Sequence, residues 1–234
     1  MIPSFLSDLC LEGVFEKFSS NVGKYILCSD KDEHIVDSEK GISGFVTETF
    51  GQKEYQSGKS FLVKNESSKS YALLQIDKGI IKDKTTKKCD CAIANDKELC
   101  FIEFKANATS EKSAVLGRNY EKAMEQLATT ISVFDSYKYP KGNIRNLRNV
   151  EAFICLRQGY PRNKSSQMNY RVSFAETNKI PLHLHQPKQY NVQLLFLPLV
   201  RGTSSLTRTA SCAVTIITRS KTTAMNSSKL VSIK

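Results

Sequence analysis

Two acidic residues on facing strands constrain this chain more than anything else in it. The run Lys88-Cys89-Asp90-Cys91-Ala92-Ile93-Ala94 has strand parity: Cys89, Cys91 and Ile93 share one face, and Asp90, Ala92 and Ala94 the other. In Leu99-Cys100-Phe101-Ile102-Glu103-Phe104-Lys105, the residues Cys100, Ile102 and Phe104 share a face, with Phe101, Glu103 and Lys105 opposite. Between the runs lies Asn95-Asp96-Lys97-Glu98, a polar stretch suited to a tight hairpin loop. A hairpin centred between Asp96 and Lys97 sets Asp90 directly opposite Glu103, and Lys105 one strand step away on the same face.

Like charges directly opposite one another destabilise a sheet, so something must compensate. Lys105 supplies part of the answer. A divalent cation held by Asp90 and Glu103 supplies more, because Mg²⁺ is usually bound by one or two hard carboxylate ligands with water in its other positions. The plain alternative is an amphipathic hairpin with exposed charges.

At these residues the chain resembles the PD-(D/E)XK nuclease superfamily, the restriction-endonuclease-like fold. The match is D-x12-E-x-K, formed by Asp90, Glu103 and Lys105, followed by a polar run and a long helix. Cys89 stands where the family often has proline. The resemblance covers roughly residues 60–160. It implies an α/β fold whose core is a central mixed sheet flanked by helices. It also implies a Mg²⁺-dependent phosphodiesterase, with Mn²⁺ able to substitute, that leaves 5′-phosphate and 3′-hydroxyl ends. Asp90 and Glu103 are the implied metal ligands, and Lys105 the residue that positions the attacking water and stabilises developing charge. Several branches of the family place a glutamine on the following helix near the metal, and Gln126 resembles it. An N-terminal helix sometimes adds an acid, a role open to Glu12 or Glu16.

Composition agrees with a nucleic-acid partner without specifying one. The formal net charge is +11, which suits nucleic acid or an anionic membrane surface. No acidic residue follows Glu176, whereas eight lysines and arginines do. That basic segment reads as a phosphate-contacting surface or as a solvated tail. Nearer the hairpin, Lys87 and Lys88 are placed to meet a phosphate backbone, as are Lys122 and Arg157. Arg162 and Arg171, interleaved with Tyr160 and Tyr170, suit a nucleic-acid channel. DNA is expected ahead of RNA, and internal cutting ahead of end-trimming. A homodimer is left open. No membrane partner is expected, for no apolar run reaches the roughly 18 residues a spanning helix needs.

The N-terminus lacks the basic and apolar segments of a signal peptide, and the seven cysteines read as reduced core residues of a cytoplasmic protein. Cys89 and Cys91 find no second Cys or His cluster to complete a zinc site.

In chain order, Leu6, Leu9, Cys10, Val14 and Phe18 predict one helix over about 4–18. Short strands are expected at 24–28 and 44–48, with His34 in the loop between them. Residues 51–60 read as loop, and 61–63 with 71–76 as a second hairpin. Asp77, at a strand end before Gly79, competes with Asp90 as the metal acid and loses on register. Tyr120, Met124, Leu127, Ile131 and Phe134 predict a helix over about 112–136, with Gln126 beside the stripe. Val150–Leu156 reads as a buried central strand. His183 and His185 stand at strand spacing. Further strands are expected at 192–197 and 213–217.

The domain expected is therefore a nuclease-like unit over 1–176, with an N-terminal elaboration over 1–59 and a Ser/Thr-rich basic segment over 177–234. From Arg201 onward 14 of 34 residues are Ser or Thr, and no chemistry is placed there. A stand-alone nuclease of this size most resembles microbial restriction or anti-phage defence enzymes. The rival reading is a non-catalytic nucleic-acid-binding or protein-interaction module on the same fold.

Overall fold

The computed structural model describes residues 1–38, 41–56, 59–65, 68–105, 113–156, 164–185 and 192–193. All of them belong to one compact unit, Met1–Phe196. Its centre is a six-stranded sheet in the order β1-β5-β6-β7-β8-β9. These strands are β1 (Ile26–Ser29), β5 (Tyr71–Gln75), β6 (Cys91–Ala94), β7 (Glu98–Phe104), β8 (Asn149–Cys155) and β9 (Leu182–His185). The first four are antiparallel neighbours; β7, β8 and β9 are parallel.

Parallel strands need crossovers long enough to return the chain to the same end of the sheet. Helix α3 (Ser113–Asp135) and the short α4 (Ile144–Leu147) connect β7 to β8, and α5 (Lys164–Asn178) connects β8 to β9. The sheet thus runs past residue 176, the limit drawn from composition, and takes its sixth strand from beyond it. The protein is α/β, with a mixed central sheet flanked by helices.

A second sheet, in the order β10-β4-β2-β3, consists of β2 (Glu33–Asp37), β3 (Ser43–Val46), β4 (Ser60–Lys64) and β10 (Val192–Gln193). It covers one face of the central sheet, where Ile35, Phe61 and Val63 pack with Leu73, Ile93, Ile102 and Phe153. The other face is covered by helices. There Ala92, Phe101 and Ile154 pack with Leu127, Ile131 and Phe134 of α3 and with Val14 and Phe15 of α1 (Leu11–Phe15). Phe134 meets both Phe15 and Phe101 edge-on, at centroid distances of 5.1 and 5.2 Å. Strands buried on both faces read as continuous apolar runs, which is why β7 and β8 are so apolar.

Several expectations change. The N-terminal helix divides into a 3₁₀ turn over Ser4–Leu9 and α1, with Cys10 between them in the left-handed conformation (φ 46°). That break turns Leu6, Leu9, Leu11, Val14 and Phe15 into the core and leaves Cys10 and Phe18 half-buried. Residues 71–75 do not form a hairpin with 60–64: both edges of β5 are taken by β1 and β6, so β4 pairs with β2 in the other sheet. His34 is buried within β2 and shares a 2.8 Å hydrogen bond with Ser60 Oγ, so it is a strand residue. Residues 48–56, expected largely as loop, form helix α2 (Glu48–Gln56) over that strand. Gly51 is required there, because a β-carbon would lie 2.2 Å from the His34 side chain. The expected strand over 213–217 lies outside the described residues, as does the segment from Arg201 onward.

Candidate active site

The β6–β7 register has Cys91 opposite Ile102, Ala92 opposite Phe101 and Ala94 opposite Leu99, so the same ladder carried one step further sets Asp90 against Glu103. Asp90 itself lies just before β6 and is fixed from three sides. Its carbonyl accepts from the N–H groups of Ile76 and Asp77 at 3.2 and 3.1 Å. Its carboxylate Oδ2 accepts from the Phe104 N–H at 2.6 Å. The residues before it are held by α3, where Gln126 Nε2 donates to the Lys88 carbonyl at 3.0 Å and Thr130 Oγ1 accepts from the Cys89 N–H at 2.9 Å.

Glu103 is 1% exposed, on the helix-covered face beside Phe101. Lys105 Nζ donates to Glu103 Oε1 and, at 2.7 Å, to Gln126 Oε1. The Lys105 main chain is held in turn, its N–H donating to the Cys155 carbonyl at 2.8 Å. Asp90, Glu103, Lys105 and Gln126, named from the sequence, therefore meet at one end of the central sheet. Gln126 and Thr130 sit one helical turn apart, which lets a single helix grip both Lys105 and the approach to Asp90.

The electrostatics follow from burial. Desolvation, then repulsion by Glu103 and Asp37, holds the Asp90 carboxyl well above the usual carboxylate range. Burial likewise pushes Glu103 up to about 7 even though Lys105 pulls it down. Sequence reasoning missed Asp37. It ends β2 and shares that strand's face with Ile35, which packs toward the central sheet. Burial and the nearby Asp77 raise its carboxyl as well. Nothing in the local pattern Glu33-His34-Ile35-Val36-Asp37 marks it, because its neighbours come from strands far along the chain.

The side chains of the other expected residues that the structure describes do not join this cluster. Lys88 is buried, its ammonium donating to the Asp83 carbonyl and lying 3.4 Å from Asp77 Oδ1. The same ion pair occupies Asp77. Lys87 is exposed and paired with Glu125 of α3. Lys122 is exposed on the same helix. Arg157, Tyr160 and Arg162 lie outside the described residues. Glu12 and Glu16 are exposed. His183 stacks on Phe153 with ring centroids 4.8 Å apart.

Two observations bear on whether a cation suits the site. Glu103 Oε2 and Asp37 Oδ1 are both buried without a hydrogen-bond donor, which is rare for carboxylate oxygens and costly unless a proton, a cation or water reaches them. The donors are all hard oxygens, the set that Mg²⁺ and Mn²⁺ prefer. Among the described residues, however, no three Asp, Glu, His or Cys side chains are grouped closely enough to hold a metal on their own. No described helix is long and apolar enough to cross a membrane.

No family model matches this sequence, and no curated protein or solved structure is detectably similar to it.

Proposed function

We propose that the protein is a Mg²⁺-dependent nuclease with a restriction-endonuclease-like core, acting on DNA ahead of RNA. The observation that carries this reading is the joint placement, at one end of the central sheet, of Asp90, Glu103 and Lys105 from the D-x12-E-x-K pattern and of Gln126 from the resemblance, with Lys105 bonded to both Glu103 and Gln126. When bound, Mg²⁺ orients the scissile phosphate and lowers the pKa of the attacking water. The protein's own residues do the rest. Asp90 and Glu103 supply the oxygens that hold the ion. Lys105 is aimed by Glu103 and Gln126, and stabilises negative charge developing on the phosphate oxygens. Gln126 fixes Lys105 and the Lys88 carbonyl at once, so it acts as a positioning residue. Mn²⁺ is expected to substitute, because it accepts the same oxygen ligands.

The test is nicking of supercoiled plasmid in Mg²⁺ against EDTA, for the native protein beside Asp90→Ala and Lys105→Ala. Metal-dependent nicking that both substitutions abolish supports the reading. Cutting that survives both would sink the site assignment. Absence of cutting on DNA and RNA alike, with binding retained, would leave a nucleic-acid-binding module. A restriction or anti-phage role is the biological setting of this reading, and protection of a bacterial host against phage plating would test it.

A further inference from the structure

A cavity of about 350 Å³ lies at the far end of β8 from the candidate active site. Its lining includes Arg145, Asn146, Arg148 and Asn149, from α4 and the start of β8, and Lys179 and Pro181, from the link between α5 and β9. Strand β8 runs seven residues from this cavity to Cys155, whose carbonyl accepts from the Lys105 N–H. The two ends are therefore about 20 Å apart. A ligand in the cavity touches neither Asp90 nor Glu103.

Three cations and no acid line it. Two acids outside the lining each hold one arginine. Asp8 takes both terminal nitrogens of Arg148, and Asp135 Oδ2 lies 2.7 Å from Arg145 Nη2. Arg148 is thereby fixed in the wall, its side chain 4% exposed and its Nε buried without an acceptor. Arg145 is half-buried and has committed one side-chain nitrogen, so the rest of its five-donor fork is free among the described residues. The Lys179 ammonium has no partner among the described residues, and Glu176, one turn back on α5, makes no ion pair with it. At the rim, the Lys97 carbonyl accepts from the Asn149 N–H at 2.7 Å, which brings up Lys97 and its oppositely charged neighbour Asp96 together. After these pairs are counted, one positive charge and several uncommitted donors remain.

The backbone at Lys179 points the same way. It ends α5 in the left-handed conformation (φ 56°), its N–H donating to the Ala175 carbonyl at 2.9 Å. Glycine, or sometimes asparagine, usually fills that capping position, because other side chains are strained there. Here the strain falls on the residue that brings the uncommitted cation to the cavity, and strain of this kind gathers at functional positions. We infer that the cavity binds a phosphate group, held by the Lys179 ammonium and the free N–H groups of Arg145. A guanidinium fork matches phosphate oxygens, and Asp135 already holds this one in place, so little side-chain freedom is lost on binding. The volume is at the small end of the range for small-molecule sites, which suits one phosphate with a compact group attached. The phosphate arrives either on a mononucleotide or on a nucleic-acid strand. Such a site does not require the nuclease reading, since neither a metal nor Asp90 takes part.

Calorimetric titration of the full chain tests it, in EDTA and at low salt, with inorganic phosphate, thymidine 5′-monophosphate and a short DNA duplex as probes. Native protein is compared with Arg145→Gln, Lys179→Gly and Lys105→Gln. Phosphate affinity is expected to fall about tenfold or more in Arg145→Gln and in Lys179→Gly, and to stay native in Lys105→Gln. Lys179→Gly relieves the left-handed strain, so it should melt at or above the native temperature, which separates lost binding from lost folding. Tighter binding of the mononucleotide than of the duplex, weakened by both cavity substitutions, supports the site with a small nucleotide as the source. Tighter binding of the duplex, weakened by the same two, supports it with a nucleic-acid backbone as the source. Native affinity in both cavity variants would overturn the site. Loss in Lys105→Gln alone would overturn it too, because the anion would then sit at the candidate active site. So would the absence of any heat with millimolar phosphate or mononucleotide and the native protein. Failure of plasmid nicking would leave every one of these outcomes readable.

Discussion

Thr130 holds the main chain of Cys89 from across the helix–sheet interface, its hydroxyl accepting from the Cys89 N–H at 2.9 Å and donating to the Gln126 carbonyl at 3.0 Å. Thr130 and Cys89 are both buried, and the next residue along the chain is Asp90. Thr130→Val keeps the shape and removes the hydroxyl, leaving a buried N–H without an acceptor. Urea unfolding should report a loss of about 1–3 kcal/mol. Thr130→Ser, which keeps the oxygen, should recover most of it. Because the same bond fixes the approach to Asp90, Mn²⁺ affinity should fall in the valine variant and return in the serine variant.

Gln126 serves two partners with one amide, accepting from Lys105 Nζ and donating to the Lys88 carbonyl. Gln126→Leu fills a similar volume and breaks both bonds. The expected result is a plasmid-nicking rate lower by about 10–100-fold. The melting temperature should change little, because the side chain is only half-buried. A variant with native nicking would show that Lys105 is aimed by Glu103 alone.

How far the sequence reveals these contacts depends on their range. The register of Asp90 against Glu103 follows from strand parity and a short polar turn, both local. Helix α3 is legible from a stripe with a period near 3.6 residues, and Gln126 falls beside that stripe for the same geometric reason. Thr130 carries no such signal: a threonine flanking a buried stripe looks like any other, and its role appears only when the Cys89 strand is packed against it. Asp37 is harder still, since β2 has acids at both ends and belongs to another sheet. Helix α2 was hidden by a polar sequence with an internal glycine, whose reason is the close approach of His34. Non-local packing made each of these, and a single chain read without its partners in space does not contain it.

Arg148 ties the N-terminal segment to the start of β8. Its guanidinium makes a bidentate pair with Asp8 and also donates to the Phe5 carbonyl at 3.0 Å. The arginine side chain is 4% exposed, whereas that of Asp8 is 42% exposed. Asp8→Ala therefore strands a buried cation while creating almost no cavity. Urea denaturation should place the loss at about 1.5–3 kcal/mol, the range for hydrogen bonds to charged groups. Arg148→Met, which removes charge and keeps the stem's packing, should be milder than Asp8→Ala, because breaking a buried pair leaves a larger penalty than replacing its buried member with an apolar residue. The reverse order would mean that Arg148 matters here for packing alone.

His183 supplies a pH dependence whose sign can be worked out. Burial first, and then the positive charge of Arg171, pulls its imidazole down to about 4. Phe153 stacks on one face of the ring, and Glu151 Oε2 lies 3.7 Å from Nε2. An ordinary unfolded histidine titrates near 6.5, so between about pH 6.5 and pH 4 the unfolded chain binds a proton that the native chain does not. Native stability from this group is therefore complete above about pH 6.5 and is lost progressively as the pH falls toward about 4. Glu151 works in the opposite direction, because burial raises its carboxyl and protonating it relieves the native state. Melting temperatures of the native protein and His183→Gln, taken across that range in EDTA, separate the two. The glutamine variant should lose less stability on acidification than the native protein. Parallel curves would mean that the native state accepts the His183 proton freely, with the Glu151 carboxylate turning to pair with it.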